Sequence, residues 1–175
     1  GEGADVASRP GDPIGLDPRA VAWALEQLEI PGGRGQVMEV GGLTILNDCY
    51  NANPLSFRAA IATAQAMRGD RRLVFVAGTM RELGEGSAAL HAAAASELVA
   101  LKPDLVAAVG EFVPALEAYR GALGNRLLLA DDVAALGSAL AARLDGTELV
   151  VLKASRGVAL ERIIPVLTPR AAQGS

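Results

Sequence analysis

Short apolar runs alternate with longer amphipathic stretches along most of this chain. Residues 43–46 (LTIL) predict a strand, and 54–67 a helix with Asn53 as its candidate cap. Residues 72–77 (RLVFVA) predict a near-continuous apolar strand, and 87–101 an Ala-rich helix. A strand over 105–109 ends at Gly110, a helix covers 111–119, and 126–129 make a short strand. Asp131 or Asp132 caps the next helix, whose face is Val133, Leu136, Leu140 and Leu144. A strand over 148–152 and a helix over 158–167 close the pattern, with Pro165 placed to shorten or kink that helix. Upstream, Asp17-Pro18 reads as an N-cap and first helical position, followed at helical spacing by Val21, Ala24, Leu25 and Leu28. Trp23 in that helix is expected to anchor a small core. Gly41-Gly42, between apolar runs at 36–40 and 43–47, predicts a hairpin or tight connection.

Strands of four to six residues alternating with longer helices predict an α/β fold. The expected form is a Rossmann-like, mostly parallel sheet with helices on both faces. Ala-rich helices suit it, because small side chains let a helix lie close to a sheet. Residues 1–17, rich in Gly, Pro and Asp, read as a linker.

Composition narrows the function classes. Apolar residues make up 51% of the 175, so a real core is available and disorder is not expected. Aromatics are only 3%, so that core must rest on Leu, Val, Ile and close backbone packing. The net charge of -4 speaks against a nucleic-acid surface, though not against a local cationic pocket. One Cys excludes an internal disulfide, and one His with one Cys excludes a His-Cys metal site. No apolar run approaches the roughly 20 residues of a membrane span, and the polar start is unlike a signal peptide. A cytoplasmic protein is expected. The chain begins without Met, as a processed or excised piece would.

Ligands of open α/β sheets bind beyond the carboxyl ends of the strands, so the chemistry is sought there. The first such end gives Asn47-Asp48-Cys49-Tyr50-Asn51-Ala52-Asn53-Pro54. Its amides and carboxylate can hold ribose hydroxyls or ring nitrogens of a nucleotide, or simply build an Asx-rich turn. The second gives Gly78-Thr79-Met80-Arg81-Glu82-Leu83-Gly84, with Arg81 and Glu82 facing a ligand or each other and water. Met80 and Leu83 read as packing residues. The last gives Lys153-Ala154-Ser155-Arg156-Gly157. A Lys, an Arg and a hydroxyl before a helix can bind a carboxylate or phosphate, or can be plain surface charge. No Gly-x-x-x-x-Gly-Lys-Ser/Thr or Gly-x-Gly-x-x-Gly occurs at these ends. That disfavours a stand-alone ATPase or a dinucleotide enzyme. His91 reads as a packed or surface helix residue rather than a catalytic base, and Cys49 as a small buried thiol.

These strand-end runs resemble the carboxyl-terminal domain of the Mur ligases. The family's Asp-Asp-Ser-Tyr-Asn-Ala-Asn-Pro is similar to residues 47–54, and its Gly-Asp-Met-x-Glu-Leu-Gly to 78–84. Ser87 and His91 follow as a Ser and a His commonly do there. Its Lys-Gly-Ser-Arg is similar to 153–156, and its Pro-Gly-Arg junction to the run ending in Arg34. The departures are Asn47, Thr79, Cys49 and Ala154, where Asp, Asp, Ser and Gly are usual.

The resemblance implies that residues 1–32 are a linker and the last helix of a central ATP-binding domain. Residues 33–170 would then be the carboxyl-terminal domain and 171–175 a tail. It implies an ATP- and Mg2+-dependent ligase of peptidoglycan precursor synthesis. The branch it resembles joins D-alanyl-D-alanine to UDP-N-acetylmuramoyl-tripeptide through an acyl phosphate. A closed site is needed, because that intermediate otherwise hydrolyses. The partners implied are the enzyme's own N-terminal and central domains, the latter carrying the P-loop and magnesium ligands. Asp48, Asn51 and Asn53 become candidates for nucleotide contacts, with Asp48 on the ribose. Lys153 and Arg156 become candidates for the catalytic step, and Ser155, Arg81 and Tyr50 for substrate binding. No metal ligand is assigned to this chain, which alone is expected to be inactive. The alternative is a non-enzymatic binding domain that reuses the fold.

Overall fold

Two glycines reverse the chain at the first hairpin. Gly41 (φ 55°) and Gly42 (φ 94°) both adopt the left-handed region that a two-residue turn requires. They join β1 (Gln36–Val40) to β2 (Leu43–Asp48) antiparallel, with Val40 opposite Leu43. A side chain at Gly42 would run into the Gly146 carbonyl. The structure, a computed structural model, describes residues 35–167. The helix expected over 18–28, Trp23, Arg34 and the tail lie outside the described residues, as does the assignment of 1–32 to another domain.

After the hairpin every strand runs parallel. The remaining elements are α1 (Pro54–Arg68), β3 (Leu73–Ala77), α2 (Ser87–Ala100), β4 (Leu105–Ala108), α3 (Phe112–Glu117), α4 (Arg120–Leu123), β5 (Leu127–Leu129), α5 (Val133–Ala141), β6 (Leu149–Lys153) and α6 (Ile164–Leu167). The six strands lie in the order β1-β2-β6-β3-β4-β5. The last strand therefore enters the middle of the sheet, between β2 and β3. Its carboxyl end, Lys153, is in register with Asp48 on one side and Ala77 on the other.

Strand side chains point alternately to two faces, and both faces are covered. On one face Leu46, Phe75, Val106 and Val151 pack against α1, α2 and α3 through Phe57, Met67, Leu98 and Leu116. On the other, Ile45, Val74, Val76, Val150 and Leu152 pack against Leu136 and Leu140 of α5 and against Leu160, Ile163 and Leu167. All three Phe of the chain meet in the first layer. Phe57 lies 4.9 Å from Phe112 and 5.5 Å from Phe75 between ring centroids.

The sequence reading holds for most elements and fails at two helices. The stretch 158–167 is not one helix. Ala159 takes a left-handed conformation (φ 59°, ψ 40°) and divides it into 3-10 turns (Arg156–Val158, Leu160–Ile163) before the single turn of α6. The helix expected over 111–119 covers Phe112–Glu117, and α4 starts afresh at Arg120. Pro114 is tolerated there because it falls in the first turn. Arg126 belongs to a 3-10 turn rather than to β5. Asp132, not Asp131, caps α5, accepting the Ala135 N–H at 2.7 Å. Among the described residues no helix is long and apolar enough to cross a membrane.

Candidate functional site

The carboxyl ends of β2, β6 and β3 bring most of the sequence-derived candidates to one edge. Lys153 ends β6 with its side chain almost wholly enclosed, 2% exposed. Its Nζ donates to Asp48 Oδ2 at 3.0 Å and to the Asn51 carbonyl at 2.8 Å. An ammonium has three protons, so one donor remains beyond these two partners among the described residues. Asp48 stands at the surface of this pair, 19% exposed. A cation so enclosed persists only when paired and hydrogen-bonded, which is what Asp48 and the Asn51 carbonyl provide.

The loop after β6 is stitched to both neighbours. Gly78 N–H donates to the Lys153 carbonyl at 2.9 Å, and Ser155 N–H to the Thr79 carbonyl at 3.0 Å. The buried Ser155 hydroxyl accepts the Arg81 N–H at 2.8 Å and reaches the Ala52 carbonyl at 3.4 Å. Ala154 fills the space that Gly78 leaves, since a Cβ on Gly78 would come within 2.8 Å of the Ala154 Cβ. Next in the chain, Arg156 lies over the Tyr50 ring, 5.3 Å from its centroid, a cation–π geometry. Asp48, Tyr50, Asn51, Lys153, Ser155, Arg156 and Arg81 thus share one edge. The Arg81 guanidinium lies against Gly157 at this edge and has no carboxylate partner among the described residues.

Asn53 is the cap expected from the sequence. Its Oδ1 accepts the Ser56 N–H at 2.8 Å while its own N–H donates to Ser56 Oγ at 3.0 Å. This capping box starts α1, with Pro54 in the first turn. Cys49 is buried, 4% exposed. Burial pushes its thiol well above the ordinary range, helped by Glu161 and Asp48 and opposed by Lys153. Its neutral thiol packs among the apolar residues of the second layer.

His91, read from sequence as a packing or surface residue, is buried and carries specific bonds. Its Nε2 lies 2.9 Å from the Met80 N–H and its Nδ1 2.8 Å from the Ser87 carbonyl. Thr79 Oγ1 accepts the Glu111 N–H at 3.0 Å, and a Cβ on Gly110 (φ 70°) would meet that hydroxyl. The sequence signal for this network was the spacing of Ser87 and His91, one helical turn apart.

Comparison with known proteins fits this arrangement. The family described as "Mur ligase, glutamate ligase domain" matches residues 33–156, which include every strand and the whole carboxyl edge described above. The chain belongs to the Mur ligase family, as its C-terminal domain. It is 34% identical over 158 residues to the UDP-N-acetylmuramoyl-tripeptide–D-alanyl-D-alanine ligase of Treponema pallidum, covering 88% of this chain and 34% of that one. Against the Bacillus subtilis enzyme of the same name it is 30% identical, covering 91% and 35%. The MurF ligase of Thermotoga maritima in complex with ADP superposes with a TM-score of 0.67 at 28% identity, over 87% of this chain and 34% of that one. MurF from Acinetobacter baumannii gives 0.71 at 26% identity, over 89% and 34%. The chain therefore spans about a third of the length of these Mur ligases.

Proposed function

We propose that this domain serves a cytoplasmic, ATP-dependent ligase that adds D-alanyl-D-alanine to UDP-N-acetylmuramoyl-tripeptide in peptidoglycan precursor synthesis. The observation that carries this reading is the enclosed Lys153. Asp48 and the Asn51 carbonyl fix its position, and its charge underlies the cationic character of this edge. Arg156 and Arg81 flank it at the same edge. Three cationic donors suit phosphate or carboxylate groups, and Arg presents a planar fork to either. The solved MurF ligases share the fold, with TM-scores of 0.67 and 0.71.

Bound ATP would supply the phosphoryl group that activates the substrate carboxylate. This chain's part is to bind, orient and shield. Lys153 is fixed before ligand arrives, so its charge contributes to the field at this edge without reorganisation. Arg156, on the exposed rim, and Arg81, whose side chain lies against the neighbouring Gly157, orient the anionic groups. Asp48 holds Lys153, and in this reading its exposed side takes a ribose hydroxyl. Asn51 stands beside it at the same rim. Among the described residues no group of three or more His, Cys, Asp or Glu could hold a metal ion. In this reading the magnesium ligands and the P-loop belong to the rest of the enzyme, and this chain alone does not turn over.

The test is a ligase assembled with this domain, assayed for phosphate release from ATP and for ligated product. Release should require both UDP-N-acetylmuramoyl-tripeptide and D-alanyl-D-alanine, and Lys153→Ala should lower the rate by roughly tenfold or more. Dipeptide-independent release would refute the assigned substrate. Ligation indifferent to changes at Asp48 and Lys153 would instead favour a binding role for this domain.

A further inference from the structure

The loop that carries Arg81 is held at two successive amides. Met80 N–H donates to His91 Nε2 at 2.9 Å, and Arg81 N–H donates to Ser155 Oγ at 2.8 Å. The next residue, Glu82, has a left-handed φ of 63°, and Gly84 has 73°. A left-handed Glu is disfavoured, so contacts outside the turn must hold it. Beyond the turn, the Arg81 side chain lies against Gly157. A Cβ there would be 2.9 Å from the guanidinium carbon and 3.2 Å from Cδ.

The bonds around His91 select one state of its ring. The imidazole is 0% exposed and meets Phe112 edge-on, with centroids 4.8 Å apart. The Ser87 carbonyl, 2.8 Å from Nδ1, can only accept, so Nδ1 carries the proton. Nε2 then offers its lone pair to the Met80 N–H. A proton on Nε2 would face another N–H and release the loop. The neighbouring groups support the same state. Ser87 Oγ, 3.3 Å from Nδ1, lies 2.7 Å from Glu111 Oε1, and Glu111 N–H bonds Thr79 Oγ1. One network thus joins the first turn of α2, the loop after β4 and the end of β3.

We propose that His91, neutral and protonated at Nδ1, is the positioning residue that sets the loop of Met80 and Glu82 and thereby aims Arg81. Arg81 is then presented, across the seat that Gly157 leaves open, to a carboxylate or phosphate of the substrate. The second half of this statement rests on the ligase reading; the first does not.

His91 is the chain's single histidine, so its ring nitrogen resonances need no assignment. Nitrogen-15 NMR of the chain should show a neutral ring with Nδ1 protonated, and the Nε2 tautomer would overturn the proposal. Hydrogen exchange gives the second readout. His91→Leu should speed exchange at the Met80 and Arg81 amides by about tenfold while the β3 and β6 amides hold. His91→Gln, which keeps an acceptor, should restore most of the protection. Unchanged Met80 exchange in His91→Leu would also overturn it. If His91→Leu does not fold, the wild-type tautomer and His91→Gln still decide. In an active ligase, His91→Leu and Arg81→Ala should raise KM for the same substrate. The double variant should then be no worse than Arg81→Ala, and losses that multiply would sink the link to Arg81. An inactive wild-type ligase would count against the ligase reading alone, because the tautomer and exchange still test the latch.

Discussion

Lys153 and Asp48 stand 105 positions apart in the sequence and meet at paired strand ends, with Nζ 3.0 Å from Oδ2. Their environments are unequal, since Lys153 is 2% exposed and Asp48 19%. Removing one partner of an enclosed pair costs most when the charge left behind cannot reach water. Asp48→Asn should therefore destabilise by about 2 kcal/mol or more, because it weakens the support of an enclosed ammonium. Lys153→Met leaves a carboxylate with access to solvent and should cost about 1 kcal/mol. Urea midpoints of the two variants test this, and the reverse order would refute the asymmetry.

Much of this edge was legible in the sequence because it depends on local signals. The short apolar runs at 72–77 and 148–152 read as strands, and they are β3 and β6 to within a residue. Gly41-Gly42 marked the hairpin, and Asn53 before Pro54 marked the start of α1. What could not be read was non-local. Nothing near residue 149 says that β6 inserts between β2 and β3, since that order is set by burial across the whole sheet. The broken stretch after Ser155 was hidden for a similar reason. Val158, Leu160, Ile163 and Leu167 have helical spacing, yet Ala159 turns left-handed as the chain packs back onto the sheet. The packed position of His91 is legible in the sequence, but its bond to the Met80 amide is not, because a backbone amide is common to every such position.

Phe57 tests how far the thin aromatic content is concentrated. It is wholly buried and contacts both other Phe rings of the chain. Truncation to Ala removes those contacts and leaves a cavity under α1, which typically costs 3–5 kcal/mol. A loss of about 3 kcal/mol or more is expected by chemical denaturation. A loss below about 1 kcal/mol would mean that the layer collapses to fill the space.

Cys49 should resist modification in the folded chain. Burial and the nearby Glu161 and Asp48 carboxylates disfavour its thiolate, and the thiolate is the reactive form. A maleimide or aromatic disulfide reagent should label it slowly under native conditions and quickly in urea. Native labelling as fast as that of an unfolded control would contradict the burial of the β2 end.

The opposite end of the sheet should give an acid-sensitive component of stability. Partial burial raises the Asp104 carboxyl, but the Leu73 N–H at 2.7 Å and Arg68 at 2.8 Å outweigh it and hold the group below its ordinary 3.8. A carboxyl depressed in the folded state adds stability above its unfolded value, lost as pH falls through the folded one. Asp104→Asn should therefore lower stability at pH 7 by about 1 kcal/mol, the pair being partly exposed and screened. The deficit should shrink below about pH 4, where the wild type loses the same contribution. Urea midpoints at pH 7 and pH 3 measure it, and a deficit equal at both would exclude the carboxylate as its source.

Gly157 separates the seat of Arg81 from the loop that aims it. Its backbone is not in the left-handed region, so Ala there introduces no backbone strain. The added Cβ instead meets the Arg81 guanidinium and Cδ, the far end of a flexible side chain. The side chain swings away while the Met80 and Arg81 amide bonds stay intact. Gly157→Ala should thus fold with stability within about 0.5 kcal/mol of the parent. Its hydrogen exchange at Met80 and Arg81 should be unchanged. In an active ligase it should nonetheless raise KM toward the value of Arg81→Ala, because the guanidinium no longer lies across the edge. Parental kinetics in Gly157→Ala, beside impaired kinetics in Arg81→Ala, would show that Arg81 acts from another position than the one it occupies here.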